Sequence, residues 1–315
     1  MTAGPVRRVL VTPRSLTQAG LGTVEALDPL RAAGLHLVSG PPGRLPTEAE
    51  QLYLVPGCVG WLAGVERIGA TALDAATDLQ VISRNGTGTD GIDLVAAEQR
   101  GVRVVRAAGA NAQSVAELAL TVALSGLRHV PWTAASVAAG AWTRAEGREL
   151  EDCTVGVVGM GAIGRRVAHL FTAVGARVVA HDPFADLTGS SVAALDLDEL
   201  LALADVVTLH LPAPPEGGAL LDARRLALLP SGAVLVNTAR AALVDDDAVL
   251  AALASGRLSA YAVDAYDEEP PPPSALLSHP RVIATPHLGG YTAASVRRAT
   301  EQAVTGLIEA LDQGR

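Results

Sequence analysis

Three side chains of complementary chemistry follow apolar runs in the C-terminal half of the chain. Arg240 ends Val-Leu-Val-Asn-Thr-Ala-Arg, Glu269 ends Val-Asp-Ala-Tyr-Asp-Glu-Glu ahead of a proline, and His287 follows Val-Ile-Ala-Thr-Pro. A guanidinium is a planar fork for carboxylates, an imidazole titrates near neutrality, and a carboxyl group can orient that imidazole. Taken singly, each has a plain alternative: a surface charge, a solvated turn, a structural histidine. Jointly they supply an anion grip, an acid–base group and its orienter, each just past a strand. Hydride transfer at C2 of a hydroxy acid requires that combination.

A second constellation would hold the hydride carrier. Gly159, Gly161 and Gly164 form Gly-x-Gly-x-x-Gly after the run Thr-Val-Gly-Val-Val. Among 32 glycines the spacing alone is weak; its surroundings make it specific. Residues 154–158 read as a buried parallel strand, and residues 162–174, opening with Ala162 and Ile163, read as the helix that the turn starts. Asp182 closes the next apolar run, about 20 residues beyond the glycines. The first glycine permits the turn, the second lets backbone approach a pyrophosphate, and the third lets helix and strand pack closely. The helix start attracts the phosphates. Asp182 would accept hydrogen bonds from ribose hydroxyls and repel a 2′-phosphate, and Pro183-Phe184 supply no arginine to welcome one. The cofactor expected is NAD rather than NADP. The alternative is a glycine-rich turn without nucleotide.

The elements that must position these groups alternate along the chain. Candidate strands at 154–158, 177–181, 205–210, 233–237, 260–264 and 281–284, with helical patterns between them, describe a doubly wound parallel α/β sheet. A helix over 246–254 has Gly256 as its stop signal. The first hundred residues give a smaller α/β pattern, with strands near 7–11, 35–38, 52–55, 79–83 and 102–105. A long apolar segment, 114–130, joins the regions as a helix. A last helix, 292–311, places Val296, Ala299, Ala303 and Leu307 on one face. The run Pro270 to Pro273 reads as a stiff loop.

Composition removes several classes. At 315 residues two domains are expected. The net charge of −9 argues against a sequence-independent grip on nucleic acid or an anionic membrane. No stretch approaches the length of a membrane span, and residues 1–14 read as a tail and a strand rather than a signal peptide, so a cytoplasmic location is expected. Cys58 and Cys153 are isolated, which points to no disulfide framework and no metal cluster. All 24 basic residues are arginine. Schiff-base, pyridoxal phosphate and Walker A chemistry each need a lysine and are excluded.

At these residues the chain resembles the D-isomer-specific 2-hydroxyacid dehydrogenases, above all the branch around D-3-phosphoglycerate dehydrogenase. The likeness extends to Arg-Asn-Gly-Thr-Gly-Thr-Asp-Gly-Ile-Asp (84–93), similar to the family's substrate-carboxylate loop, and to Gly-Ala-Asn-Ala-Gln-Ser-Val-Ala-Glu (109–117), similar to its interdomain helix start. Residues 149–161 resemble its entry to the dinucleotide fold, and His210-Leu211-Pro212 its loop by the cofactor. The resemblance implies a Rossmann NAD domain inserted into a smaller, flavodoxin-like substrate domain, with a cleft that closes on binding. The boundaries expected are 1–105 for the first part of the substrate domain, 106–286 for the NAD domain and 287–315 for the returning C-terminal helix.

The resemblance also implies roles. His287 would donate and accept the proton at the C2 oxygen, Glu269 would hold its imidazole, and Arg240 would grip the carboxylate and polarise the carbonyl. Backbone N–H groups of Asn85, Gly86, Thr87 and Gly88 would take the carboxylate's other face, with Thr87 also touching cofactor. Asp264 would hold the nicotinamide carboxamide. Thr238, Ala239, Gly289 and Gly290 complete the expected cofactor contacts. Residues 131–142, bounded by Pro131-Trp132 and Trp142, resemble the family's dimer arm, so a homodimer is expected. The alternative is packing of both tryptophans onto the cofactor domain.

The chain departs from the pattern in places. Ala241-Ala242 follow Arg240 where glycines are usual, Pro214-Pro215-Glu216-Gly217-Gly218 replace a threonine-bearing stretch, and Tyr261 replaces a small residue. The chain ends at Arg315, short of the long forms' regulatory domain, so feedback through it is not expected. Arg84 has two open readings: contact with a distal phosphate, phosphonate or second carboxylate, as in 3-phosphoglycerate, or a strand-end charge. Two other functions use the same fold. One is an NAD-sensing, corepressor-like binding protein, though no disordered tail is evident. The other is a formate- or phosphite-type dehydrogenase, though lysine for a phosphite pocket is lacking.

Overall fold

The computed structural model describes residues 6–189, 192–213 and 217–313. The chain divides into two compact units, Met1–Asn111 with Ala293–Arg315, and Ala112–Thr292.

Unit 1 holds a parallel sheet of β1 (Arg8–Val11), β2 (His36–Ser39), β3 (Cys58–Ala63), β4 (Val81–Arg84) and β5 (Arg103–Arg106), in the order β2-β1-β3-β4-β5. That is the flavodoxin-like order. The C-terminal helix Ala293–Asp312 belongs here. Its Ala303, Val304 and Leu307 pack with Val9, Val11, Leu62 and Val81. Ser83 Oγ donates to Ala303 O at 2.7 Å, tying the helix to β4.

Unit 2 holds seven parallel strands: β6 (Thr154–Val158), β7 (Arg177–His181), β8 (Ala193–Ala194), β9 (Val206–Leu209), β10 (Ala233–Asn237), β11 (Leu258–Val263) and β12 (Val282–Ala284), in the order β12-β11-β10-β9-β6-β7-β8. Strand order reverses between β6 and β9, and a doubly wound sheet binds its ligand at the carboxyl ends there. The strands read as unbroken apolar runs because both faces are covered. Leu200, Leu235 and Tyr261 pack on one face, and Ala119, Val157 and Phe171 on the other. Among the described residues no helix is long and apolar enough to cross a membrane.

Several expectations needed correction. The strand expected at 52–55 is the end of a helix, Glu48–Leu54; the strand is β3, from Cys58. Thr47 accepts from Glu50 N at 3.3 Å while Glu50 Oε2 accepts from Thr47 N at 2.8 Å, and this reciprocal cap starts a helix that local apolarity does not override. The apolar segment at 114–130 is not one helix. Ala112–Leu127 ends, His129 turns left-handed at φ 56°, and Val130–Ala138 forms a second helix. The short strand β8, within the brief apolar run Val192-Ala193-Ala194-Leu195, is a further difference from the expected strands.

The unit boundaries also lie later than 105/106 and 286/287, because β5 and its turn stay with the first sheet. Residues 287–292 stay with unit 2 because Asp264 binds Leu288 N and Gly289 N, both at 2.7 Å. Of the atypical stretch 214–218, Pro214, Pro215 and Glu216 lie outside the described residues.

Helix–strand contact at the glycine turn leaves no room for a side chain. A Cβ on Gly164 would stand 1.8 Å from Gly159 O, a backbone atom that cannot rotate away. Gly164→Ala is therefore expected to lower unfolding stability by about 1–3 kcal/mol, read as a lower urea midpoint. An unchanged midpoint would contradict this packing.

Candidate active site

The glycine turn is built to accept phosphate. Gly159 adopts φ 94°, and a Cβ there would lie 2.5 Å from His210 O. Gly161 faces open space, with no heavy atom within 4 Å of an added Cβ. The helix Ala162–Ala173, which Ala162 and Ile163 open, has no side-chain cap at its N-terminus, so its first N–H groups remain for an anion. Asp182 lies past the end of β7. Its Oδ2 accepts from Met160 N at 2.7 Å, and Oδ1 from Phe184 N at 2.9 Å and Ala185 N at 3.1 Å. Burial works to raise this carboxyl's pKa, but the three N–H donors outweigh it and hold the value below the usual carboxylate range. Asp182 thus also fastens the turn, a role the motif by itself did not suggest.

Two buried polar atoms beside this turn have no partner among the described residues: His210 Nδ1 and Thr238 Oγ1. They stand at the carboxyl ends of β9 and β10, where Leu211, Pro212 and Ala239 also lie. His210 Nε2 meets Thr208 Oγ1 at 2.8 Å, and burial pushes the imidazole pKa down to about 3. Orphaned buried polar groups are uncommon and signal a missing partner. An open second glycine, an uncapped helix start, a strand-end acid and two orphaned atoms fit a dinucleotide.

The expected chemical residues lie on neighbouring strand ends of the same unit. His287 Nδ1 meets Glu269 Oε1 at 2.5 Å, leaving Nε2 as the nitrogen for a reactant. His287 has φ 52°, a conformation that non-glycine residues rarely adopt, held by His287 N to Thr285 O at 2.9 Å. Asp264 organises this turn. Besides Leu288 N and Gly289 N, it accepts from Thr285 Oγ1 at 2.6 Å. An added Cβ on Gly289 would come within 2.9 Å of Asp264 Oδ2, so glycine is needed there. Gly290 follows, half-buried.

Arg240 follows β10 on a turn that Asn237 closes. Asn237 Nδ2 donates to Arg240 O at 2.8 Å, Asn237 Oδ1 accepts from Ala239 N at 3.2 Å, and Arg240 Nη1 donates to Ala239 O at 2.7 Å. Sequence reasoning passed over Asn237. The available signal was a turn-favouring amide at the end of an apolar strand.

Unit 1 carries the loop after β4. The N–H groups of Asn85 and Gly86 donate to Ala63 O and Arg84 O, both at 2.8 Å, so they are not the anion donors expected of them. Among the described residues no acceptor meets the N–H of Thr87 or Gly88, so of the four expected donors these two keep a free N–H. Thr87 Oγ1 donates to Asn111 Oδ1 at 2.9 Å. Arg84 folds back over its loop, with Nη1 donating to Asn85 O at 2.6 Å and lying 2.7 Å from where a Gly86 Cβ would stand.

This geometry agrees with similarity to known proteins. Residues 120–289, most of unit 2, match the family model described as D-isomer specific 2-hydroxyacid dehydrogenase, NAD binding domain. The chain belongs to that family. It is 40% identical over 237 residues to D-3-phosphoglycerate dehydrogenase of Mycobacterium tuberculosis, covering 74% of this chain and 45% of the relative. It is 34% identical over 269 residues to that of Rattus norvegicus, covering 84% and 50%. The chain thus spans about half the length of the curated relatives it matches. A solved protein of Thermus thermophilus superposes with a TM-score of 0.86 at 39% identity, covering 97% of each chain. Among the described residues no cluster of His, Cys, Asp or Glu is placed to hold a metal ion, and the cysteines Cys58 and Cys153 are free and buried.

The neutral, buried His210 has a consequence for acid stability. Its imidazole binds a proton near 6.5 when unfolded and only near about 3 when folded. The depressed folded value means its contribution is full above 6.5 and is lost as pH falls toward 3. This one group is expected to steepen the loss of unfolding free energy below pH 6.5 by up to about 1.4 kcal/mol per pH unit. Urea unfolding across that range should show a shallower slope in His210→Asn, and identical slopes would refute the assignment.

Proposed function

We propose that the chain moves a hydride between NAD(H) and C2 of a D-2-hydroxy acid and its 2-oxo acid. The observation that carries this reading is the His287–Glu269 pair, which engages Nδ1 and leaves Nε2, on strand ends that neighbour the one carrying Arg240. When bound, NAD(H) supplies the hydride acceptor or donor. The helix start at Gly161–Ile163 binds its phosphates, Asp182 its ribose, and Thr238 and His210 offer their unpartnered atoms. Asp264 and the Gly289–Gly290 turn are the assigned carboxamide contacts.

His287 Nε2 takes the proton from the C2 hydroxyl in oxidation and returns it in reduction. Glu269 fixes the ring through its contact with Nδ1. Arg240 grips the substrate carboxylate and polarises the C2 oxygen with its planar donors. Within unit 1, the N–H groups of Thr87 and Gly88 are the proposed anion donors. The name of the relatives makes 3-phosphoglycerate the first hydroxy acid to test, with Arg84 as the side chain offered to a distal phosphate.

Purified protein, NADH and a panel of glyoxylate, pyruvate, hydroxypyruvate, phosphohydroxypyruvate, phosphonopyruvate and 2-oxoglutarate provide the test, with NADPH as control. Reduction of at least one acid is expected. His287→Ala should lower kcat about 10²–10⁴-fold, with Arg240→Ala lowering kcat/KM in the same direction. If NADH binds and no acid is reduced, the reading falls, and an NAD-sensing binding protein takes its place.

The reading includes a homodimer in the cytoplasm. The helix Val130–Ala138 is apolar, yet none of its residues is fully buried. Val130, Val137 and Trp142 are exposed, Trp142 by 82%. Trp132 alone of the two tryptophans packs inward, with the Arg281 guanidinium 5.0 Å from its ring. An apolar helix with no cover of its own supports a second copy as its partner. Free, buried cysteines suit a reducing compartment. Sedimentation should give twice the chain mass, and Val137→Arg should shift it toward one; a monomeric wild type would remove the dimer from the reading.

A further inference from the structure

We infer that Asn237 is a positioning residue that sets Arg240 relative to His287. The inference rests on the proposed hydroxy-acid chemistry and assigns the device that aligns its two reacting side chains.

Asn237 is the last residue of β10 and is fully buried. Each end of its amide serves the Arg240 turn: Nδ2 holds Arg240 O and Oδ1 holds Ala239 N. Its backbone carbonyl meanwhile accepts from Asp264 N at 3.1 Å. Asp264 then uses both carboxyl oxygens on the segment that carries His287, through Leu288 N, Gly289 N and Thr285 Oγ1. One continuous set of hydrogen bonds therefore runs from the Arg240 carbonyl through Asn237 and Asp264 to the His287 turn. Apart from the half-buried Thr285 hydroxyl, every link is a main-chain group or a buried side chain, so neither turn can shift without unpairing one of them.

The residue type follows from the geometry. Only an amide offers a donor and an acceptor at this reach; an ionised aspartate has no donor for Arg240 O, and alanine has neither group.

The test separates positioning from mere support of the fold. Asn237→Asp and Asn237→Ser would be assayed for KM and kcat with the 2-oxo acid that the wild type reduces best. Oxalate binding by calorimetry, NADH affinity by fluorescence and the thermal midpoint complete the set. Asn237→Asp is expected to raise KM and weaken oxalate binding about tenfold or more, and Asn237→Ser about threefold or more, the scale of one lost buried hydrogen bond. NADH affinity should stay within about twofold of wild type in both. Asn237→Ser, which adds no charge, keeps the test open if Asn237→Asp fails to fold.

Unchanged KM and oxalate binding in both variants would overturn the inference. So would parallel losses of oxalate binding, NADH binding and thermal midpoint, which denote a structural role. A wild type that binds oxalate but reduces no acid sinks the proposed reaction alone, because oxalate affinity still reads the position of Arg240. A wild type that does neither sinks both.

Discussion

A carboxyl group buried at the end of an apolar strand must find donors or cost several kcal/mol. Asp264 finds all of its donors in the segment after β12, and that choice sets much of the rest of unit 2. The segment is drawn against β11, Gly289 is confined to glycine, and His287 is carried through a left-handed conformation toward Glu269. The same constraint explains why residues 287–292 stay with this unit while the helix from Ala293 joins the other. A single buried acid therefore fixes both a unit boundary and the placement of the His287 imidazole.

The glycine turn works by the opposite rule, close approach without polar partners. Gly159 and Gly164 bring helix, turn and His210 within distances that no side chain permits. Asp182 then fastens the turn through Met160 N. What is left unsatisfied is as informative as what is paired. An uncapped helix start and two orphaned buried atoms sit where a doubly wound sheet changes direction, and all three suit a ligand rich in phosphate and hydroxyl oxygens.

Much of this was legible in the residues, for physical reasons. Parallel strands covered on both faces must be apolar throughout, so β6, β7 and β10 could be read to the residue. Helix signals were equally legible where they were heeded. Gly256 ended its helix as expected, whereas the Thr47–Glu50 cap was present but outweighed by the apolar run Leu-Tyr-Leu-Val, and a strand was read there instead. His129 shows the converse. Nothing in its neighbours announces a left-handed residue, and the break between two helices depends on the packing around it.

The sequence by itself determined the fold class, the glycine turn with its acid, and the identities of Arg240, Glu269 and His287. These follow from residue type and local period, which one stretch of chain carries alone. Only the tertiary structure decided how those residues are held. Asp264 engaging the His287 segment, the Asn237 carbonyl accepting from Asp264 N, and Asn85 N donating to Ala63 O all pair groups from separate strands or loops. Such pairings depend on three-dimensional proximity and hydrogen-bond direction, and a linear pattern carries neither.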